Sequence, residues 1–359
     1  MTLRLIGIGG LGLMLSPSAK HLSKAQTAKF LRIHDRGSKD ERRDNCRRQW
    51  SDHGAELVFD LETLVGDGNF DGVVVCAGKN GDDAKILRDL TPILQGRCSS
   101  PPFIVHLSTV SCSFVQSASQ FLQKNGIAYL NYPLTGGPAG AEAANMLILA
   151  SGDPELYDRL LPFLSAIGKP KFFGQRTEAG AEVKLIGQLM VFNGLTGICS
   201  AAALKAACFQ EPLIGEEQAE FFDFLNAGAG GTRQWDVALS KGVRDNTWDQ
   251  GFMLQHAAVD AIYAAQLCLE RDLSTLTVMP MLSTALAFAY LLTTYRGAPL
   301  ATHAVVRELG TEKAAQIDAF VQEKLDFASP EQSLYAAINA LPPTIQDSVL
   351  LDVDEGSFL

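Results

Sequence analysis

Over roughly the first half of the chain, short apolar runs alternate with stretches whose apolar positions recur at helical spacing. The runs predict strands at Leu3–Gly9, Phe30–Asp35, Glu56–Phe59, Gly72–Ala77, Phe103–Leu107, Ile127–Tyr132, Met146–Ala150 and Lys171–Phe173. Between them, stretches such as Asp83–Leu94 and Pro154–Ile167 read as amphipathic helices. The runs VVVCA and FIVHL are continuously apolar, as strands covered on both faces must be. Such alternation predicts a doubly wound parallel sheet. After Thr177 the pattern changes. Residues 178–208 hold no proline and many Ala and Leu, which predicts one helix roughly 45 Å long at 1.5 Å per residue. Helical patterning continues to about residue 340. From Leu341 two prolines and several acids predict an extended or partly disordered tail. The division implied is an α/β domain at 1–177, an all-α domain at 178–340 with the long interdomain helix as its spine, and a tail at 341–359.

The first strand runs into Gly9-Gly10-Leu11-Gly12, ahead of a helix pattern. Small residues let a backbone approach a pyrophosphate, and amides at a helix start meet its charge. Gly7, Gly9 and Gly12 fit G-x-G-x-x-G, but Gly7 then falls inside the strand. Reading the turn as Gly10-Leu11-Gly12 suits the strand length and puts Leu15 where the third glycine belongs, which should push the helix outward. A glycine-rich turn in an unrelated α/β protein would look the same. The second strand, however, ends in Asp35, 25 residues after Gly10 by number. An acid there can hold the ribose hydroxyls of NAD. Arg36, Lys39, Arg42 and Arg43 follow, and an arginine at this place can instead bind the 2′-phosphate of NADP. A solvated helix face would explain the same charges. NAD is preferred on Asp35, and NADP stays open.

Composition narrows the classes. With 359 residues, 47% of them hydrophobic, the chain can build two cores. Forty acids against thirty bases leave a net charge of −10, which argues against nucleic acid or an anionic membrane as partner. Seven cysteines without C-x-x-C spacing suggest reduced thiols in a cytoplasmic protein, each serving packing. The six histidines show no metal spacing, so no metal is expected; His256 could line a site or lie on the surface. Arg4 and the apolar run after it imitate a signal peptide, but four glycines in residues 7–12 would weaken a signal helix. No apolar run is expected to reach membrane-spanning length.

Five segments in order carry a resemblance. GLGLMLSPSAKHL at 10–22 is similar to GLGxMGxPMAxNL, HLSTVSC at 106–112 to DxSTVSP, and PLTGGPAGAEAANMLILASG at 133–152 to PVSGGxxGAxxGTLTIMVGG. GAEVKLIGQ at 180–188 is similar to GxxxKxxNN, and Phe252 with Asp260 to FxLxLxxKD. Together they resemble the β-hydroxyacid dehydrogenases, which include 3-hydroxyisobutyrate dehydrogenase, tartronate semialdehyde reductase and 6-phosphogluconate dehydrogenase. The resemblance implies a Rossmann-type domain followed by a helical domain, an NAD(P) cofactor, a small anionic substrate and a homodimer. It implies Lys184 as general acid/base and Gln188, in place of the family's Asn, as the amide on the substrate oxygen. Ser108, Gly136 and Gly137 match the substrate-carboxylate site, and Phe252 and Asp260 match residues approaching from the helical domain. Gly10, Leu11, Gly12, Asp35, Arg36, Ala77, Gly78 and Thr109 match cofactor contacts.

The chemistry suits those residue types. Oxidising a β-hydroxy acid needs hydride transfer to nicotinamide and removal of the hydroxyl proton. A lysine in water titrates near 10.4, so burial must lower it for base work. Gln188 lies at i+4 from Lys184, on the same helix face. A glycine pair lets backbone amides point at an anion. Each residue has a plain alternative: a solvated lysine, a surface amide, a tight turn, a core aromatic. Six positions depart from the family pattern: Leu15 replaces Gly, His106 Asp, Cys112 Pro, Ala144 Gly, Gln188 Asn and Val259 Lys. They make a standard substrate doubtful. The implied activity is hydride transfer between NAD(P) and a small β-hydroxy acid or semialdehyde. The alternatives are a catalytically degenerate dinucleotide-binding protein and an imine-reductase-like enzyme. Imine reductases generally lack the catalytic lysine.

Overall fold

The computed structural model describes residues 2–37, 41–100, 102–296, 298–309 and 312–358. They form two units, residues 1–184 with 347–359, and residues 185–346.

The first unit holds six parallel strands, β1 (Leu3–Ile8), β2 (Ala28–His34), β3 (Glu56–Val58), β4 (Gly72–Val75), β5 (Phe103–His106) and β6 (Ala128–Asn131), in the order β3-β2-β1-β4-β5-β6. β4 and β5 are buried along their whole length, as their unbroken apolar runs require. The register brings the last residues into one row: Val58, His34, Ile8, Val75, His106 and Asn131 are successive partners. The loops bearing Gly9–Gly12, Asp35, Ala77–Gly78 and Ser108–Thr109 therefore all leave from the same edge. The strand order reverses between β1 and β4, and the carboxyl end of such a switch point is where open α/β sheets bind ligands.

The remaining strands do not extend that sheet. β7 (Leu134–Thr135), β8 (Met146–Ala150) and β9 (Gly168–Phe172) make a separate three-stranded sheet, antiparallel between β7 and β8 and parallel between β8 and β9. Pro133 stands between β6 and β7, and its ring nitrogen offers no donor with which to continue a ladder.

The long helix is Ala179–Phe209, 31 residues, and among the described residues every element of the second unit is a helix, with one isolated antiparallel bridge between Met253 and Ala301. Within it, Leu254–Glu270 packs against Thr275–Thr294 through a run of alanines. One expectation fails here. By length and composition, Ala179–Phe209 and Thr275–Thr294 are both apolar enough to cross a membrane. The apolar stretch of Thr275–Thr294 is 56% buried and serves the core, whereas that of Ala179–Phe209 is 33% buried.

The tail also differs from its extended reading. Pro343–Val349 is helical, and the chain then returns to the first unit. Asn80 Nδ2 donates to Leu350 O at 2.8 Å, Ser117 Oγ donates to Val353 O at 2.9 Å, and Phe358 stacks on Phe121 with centroids 5.2 Å apart. Leu351, Val353 and Phe358 are buried, and this gain outweighs the acids between them. All seven cysteines are free thiols.

Candidate active site

The glycine turn follows β1 directly. Gly9 has φ +80°, and a Cβ there would lie 2.1 Å from Cys76 O, so β1 and β4 approach closely only because this residue is glycine. Gly12 N donates to Gly9 O, and Trp50 Nε1 donates to Gly10 O at 2.8 Å. Trp50, completely buried on helix Glu41–His53, thus props the turn from below, a role no sequence motif announces. The regular helix begins only at Ser18, and Leu15 is completely buried ahead of it, so turns rather than helix occupy 10–17. Gly10, Leu11 and Gly12 all lie in this turn.

Asp35, one residue past β2, is 2% exposed and already engaged. Arg47 Nε donates to Oδ2 at 2.7 Å, an Arg47 terminal nitrogen reaches Oδ1 at 3.2 Å, and Gly37 N donates to Oδ1 at 2.9 Å. The Arg47 guanidinium, more than any other neighbour, holds the Asp35 carboxyl below its usual range. Arg36 is exposed, while Lys39 lies outside the described residues.

Two further loops are tied together. Ser108 Oγ accepts from Ala77 N at 3.2 Å, and Asn80 joins Ser111 through both ends of its amide. Gly78 packs on Asp82, and Thr109 is half-buried beside Ser108. On the smaller sheet, Gly136 and Gly137 have φ +129° and +65° where β7 passes into helix Gly137–Glu142. Lys20 pairs with Glu142, which links that helix to Ser18–Ala25 after the glycine turn.

Lys184 is 8% exposed. Its helix is seated on β8: Gly180 N donates to Ser151 Oγ at 2.9 Å, and a Cβ at Gly180 would stand 2.3 Å from Leu149 O. The glycine four residues before the lysine is therefore needed for close approach. In the second unit Gln188 is 3% exposed and donates through Nε2 to Asp260 Oδ2. It is no surface amide. Phe192, four residues further on, stacks with Phe252 at 6.2 Å between centroids. Lys184, Gln188 and Phe192 thus form one buried stripe on the helix, two of them meeting Asp260 and Phe252. Phe192 was not singled out from the sequence, although the i+4 spacing points to it. Val259 is 1% exposed inside helix Leu254–Glu270, and His256 is exposed at its start.

The cradle suits a dinucleotide. A tight glycine turn abuts the switch point, Gly12 has only Gly9 O near its missing Cβ, and Ala77–Gly78 leave the neighbouring strand on the same edge. Residues 5–184 match the family model of the NAD binding domain of 6-phosphogluconate dehydrogenase. The chain belongs to the β-hydroxyacid dehydrogenase family. Its first unit is an NAD(P)-binding domain, and the protein is an enzyme of the NAD(P)-dependent 3-hydroxyacid dehydrogenase/reductase type. Among curated relatives of this family member, an uncharacterized oxidoreductase of Synechocystis sp. is 27% identical over 263 residues, covering 72% of this chain and 84% of that one. 2-(Hydroxymethyl)glutarate dehydrogenase of Eubacterium barkeri is 26% identical over 44% of this chain and 52% of its own length. The fold is shared with 3-hydroxyisobutyrate dehydrogenase of Mycobacterium tuberculosis, at TM-score 0.68 and 17% identity over 87% of this chain and 100% of that one. It is shared less closely with an imine reductase from Myxococcus stipitatus, at TM-score 0.52 and 18% identity over 86% and 100%.

Proposed function

We propose that this dehydrogenase moves hydride between NAD(P) and a small β-hydroxy acid or its semialdehyde, with Lys184 as general acid/base. The observation that carries the reading is the buried Lys184–Gln188–Phe192 stripe, which gathers the matched lysine and amide on one helix face. Bound NAD(P) supplies the hydride acceptor or donor. Lys184 takes the hydroxyl proton in oxidation and returns it in reduction. Asp260 fixes the Gln188 amide by accepting from its NH₂, which orients the group toward the substrate oxygen. Ser108 Oγ accepts from Ala77 N and keeps its own hydrogen for a substrate carboxylate, toward which the Gly136–Gly137 turn offers backbone amides.

Asp35 remains the ground for preferring NAD. Its pairing with Arg47 weakens the repulsion of a 2′-phosphate, so the preference should be small. A homodimer is supported by Ile186, Met190 and Leu204, exposed at 56%, 73% and 65% on the long helix. The free thiols support a cytoplasmic setting, and the net charge opposes nucleic-acid or anionic-membrane partners.

A panel of 3-hydroxy acids assayed with both cofactors tests the reading. Lys184→Ala should lower kcat by about a hundredfold or more, the size of a general acid/base contribution, with cofactor affinity kept. Wild-type kcat in that variant would remove Lys184 from its role. Imine reduction is the second reading, supported by the fold shared with imine reductases. Turnover of cyclic imines without turnover of hydroxy acids would select it, and tight cofactor binding without any turnover would select the non-catalytic form.

A further inference from the structure

His106 occupies the place of the family's aspartate, and its surroundings explain how the exchange is accommodated. It is the last residue of β5 and is completely buried. Its Nε2 lies 2.7 Å from Asp83 Oδ2, and its Nδ1 lies 2.7 Å from the Tyr129 hydroxyl. Asp83 stands in the first turn of helix Asn80–Arg97, which begins directly after the Ala77–Gly78 loop. Tyr129 stands on β6. One side chain therefore ties together a helix and two strands within a few residues of Ala77–Gly78 and Ser108–Thr109.

The two contacts let Tyr129 O–H donate to His106 Nδ1 while His106 Nε2–H donates to Asp83 Oδ2. Burial keeps the Tyr129 phenol well above its ordinary range, so it stays a donor. Asp83 stands near the positive end of its own helix. Its other oxygen, Oδ1, is buried with no hydrogen-bond partner among the described residues. A buried polar atom left unsatisfied carries a desolvation cost. Asn131 extends the same anchoring, donating to His106 O at 3.2 Å and to Ser108 O at 3.3 Å.

We infer that Asp83, His106 and Tyr129 are positioning residues, a buried relay that fixes the Ser108–Thr109 loop against the Ala77–Gly78 loop for hydride transfer. The kinetic consequence rests on the proposed dehydrogenase reading, whereas the loop-fixing role does not. Two conservative variants of the full-length protein test it. Tyr129→Phe removes one bond and keeps the ring. Asp83→Asn keeps an acceptor for Nε2–H and removes the charge. Amide hydrogen exchange at residues 107–110 should quicken about tenfold in each, beyond any rise shared by the whole chain, since loops can open without global unfolding. On a substrate found by the panel, kcat should fall about tenfold in Asp83→Asn and less in Tyr129→Phe, with cofactor affinity unchanged, as a misplaced reacting centre requires. Unchanged exchange at 107–110, or exchange that rises evenly over the whole chain, overturns the inference. Should Asp83→Asn not fold, Tyr129→Phe decides alone. If the wild type turns over nothing, the dehydrogenase reading falls and the exchange measurement still decides the relay.

Discussion

The two units hold their candidate residues by different means. In the first, the residues around the glycine turn sit on loops past strand ends and are fixed by hydrogen bonds to a neighbouring loop or helix: Ser108 to Ala77, Ser111 to Asn80, Asp35 to Arg47. In the second, Gln188 and Asp260 stand on helices and meet side chain to side chain in a hydrogen bond, and Phe252 is stacked on Phe192. Loop positions depend on backbone conformation, so a residue's smallness or permitted φ decides them. Helix positions depend on side-chain length, so one methylene decides them. That contrast explains why the departures from the family pattern are tolerated differently. Leu15 is absorbed by delaying the helix to Ser18, whereas Gln188 for Asn lengthens a side chain that must still meet Asp260.

Gly9→Ala presses the backbone side hardest. The new Cβ meets Cys76 O at 2.1 Å with φ at +80°. Stability should fall by more than about 3 kcal/mol, from overpacking and left-handed strain together, as read by denaturant unfolding. A loss below about 1 kcal/mol, the level of an ordinary substitution, would break the comparison. On the other side, Gln188→Asn shortens the amide away from Asp260. A double-mutant cycle with Asp260→Asn should give a coupling of about 1.5–3 kcal/mol, the range of a hydrogen bond to a charged group. A cycle near zero would make packing alone responsible. The smallest effect belongs to Arg47→Gln, which frees the Asp35 carboxylate for a ribose diol. Titration calorimetry should then show the NAD:NADP affinity ratio rising several-fold, roughly 1 kcal/mol of electrostatic discrimination. An unchanged ratio would show that Arg47 does not govern the choice. Acid stability gives a companion readout. The lowered Asp35 pKa contributes stability above the ordinary carboxylate range, and this is lost as pH falls through the lowered value. Arg47→Gln should lose less over that interval.

Much of the first unit was legible because its signals are local. Unbroken apolar runs mark β4 and β5, and Asp35 follows directly on β2. The separate small sheet was not legible, since pairing partners are nonlocal and β7 is only two residues long. Nor was the bond from Arg47 to Asp35, because a charge run after a strand reads equally as a solvated face. The long helix was visible in its lack of proline, and Lys184 and Gln188 through their spacing. Trp50 under the glycine turn and Phe192 beside Phe252 escaped notice, because aromatics in apolar surroundings carry no motif. Val259 reads as a lost cation in the sequence, yet it is a buried apolar side chain whose replacement by Lys would put an ammonium into the helical core.

The return of residues 347–358 to the first unit has a consequence for biosynthesis. Phe114 and Phe121 are covered by Phe358, yet the whole helical unit is translated between them. At about 5–20 residues per second, the nascent nucleotide-binding unit waits on the order of ten to thirty seconds with those rings uncovered. Chaperone engagement on the ribosome should therefore centre on helix Cys112–Lys124 and end once residues 347–358 emerge.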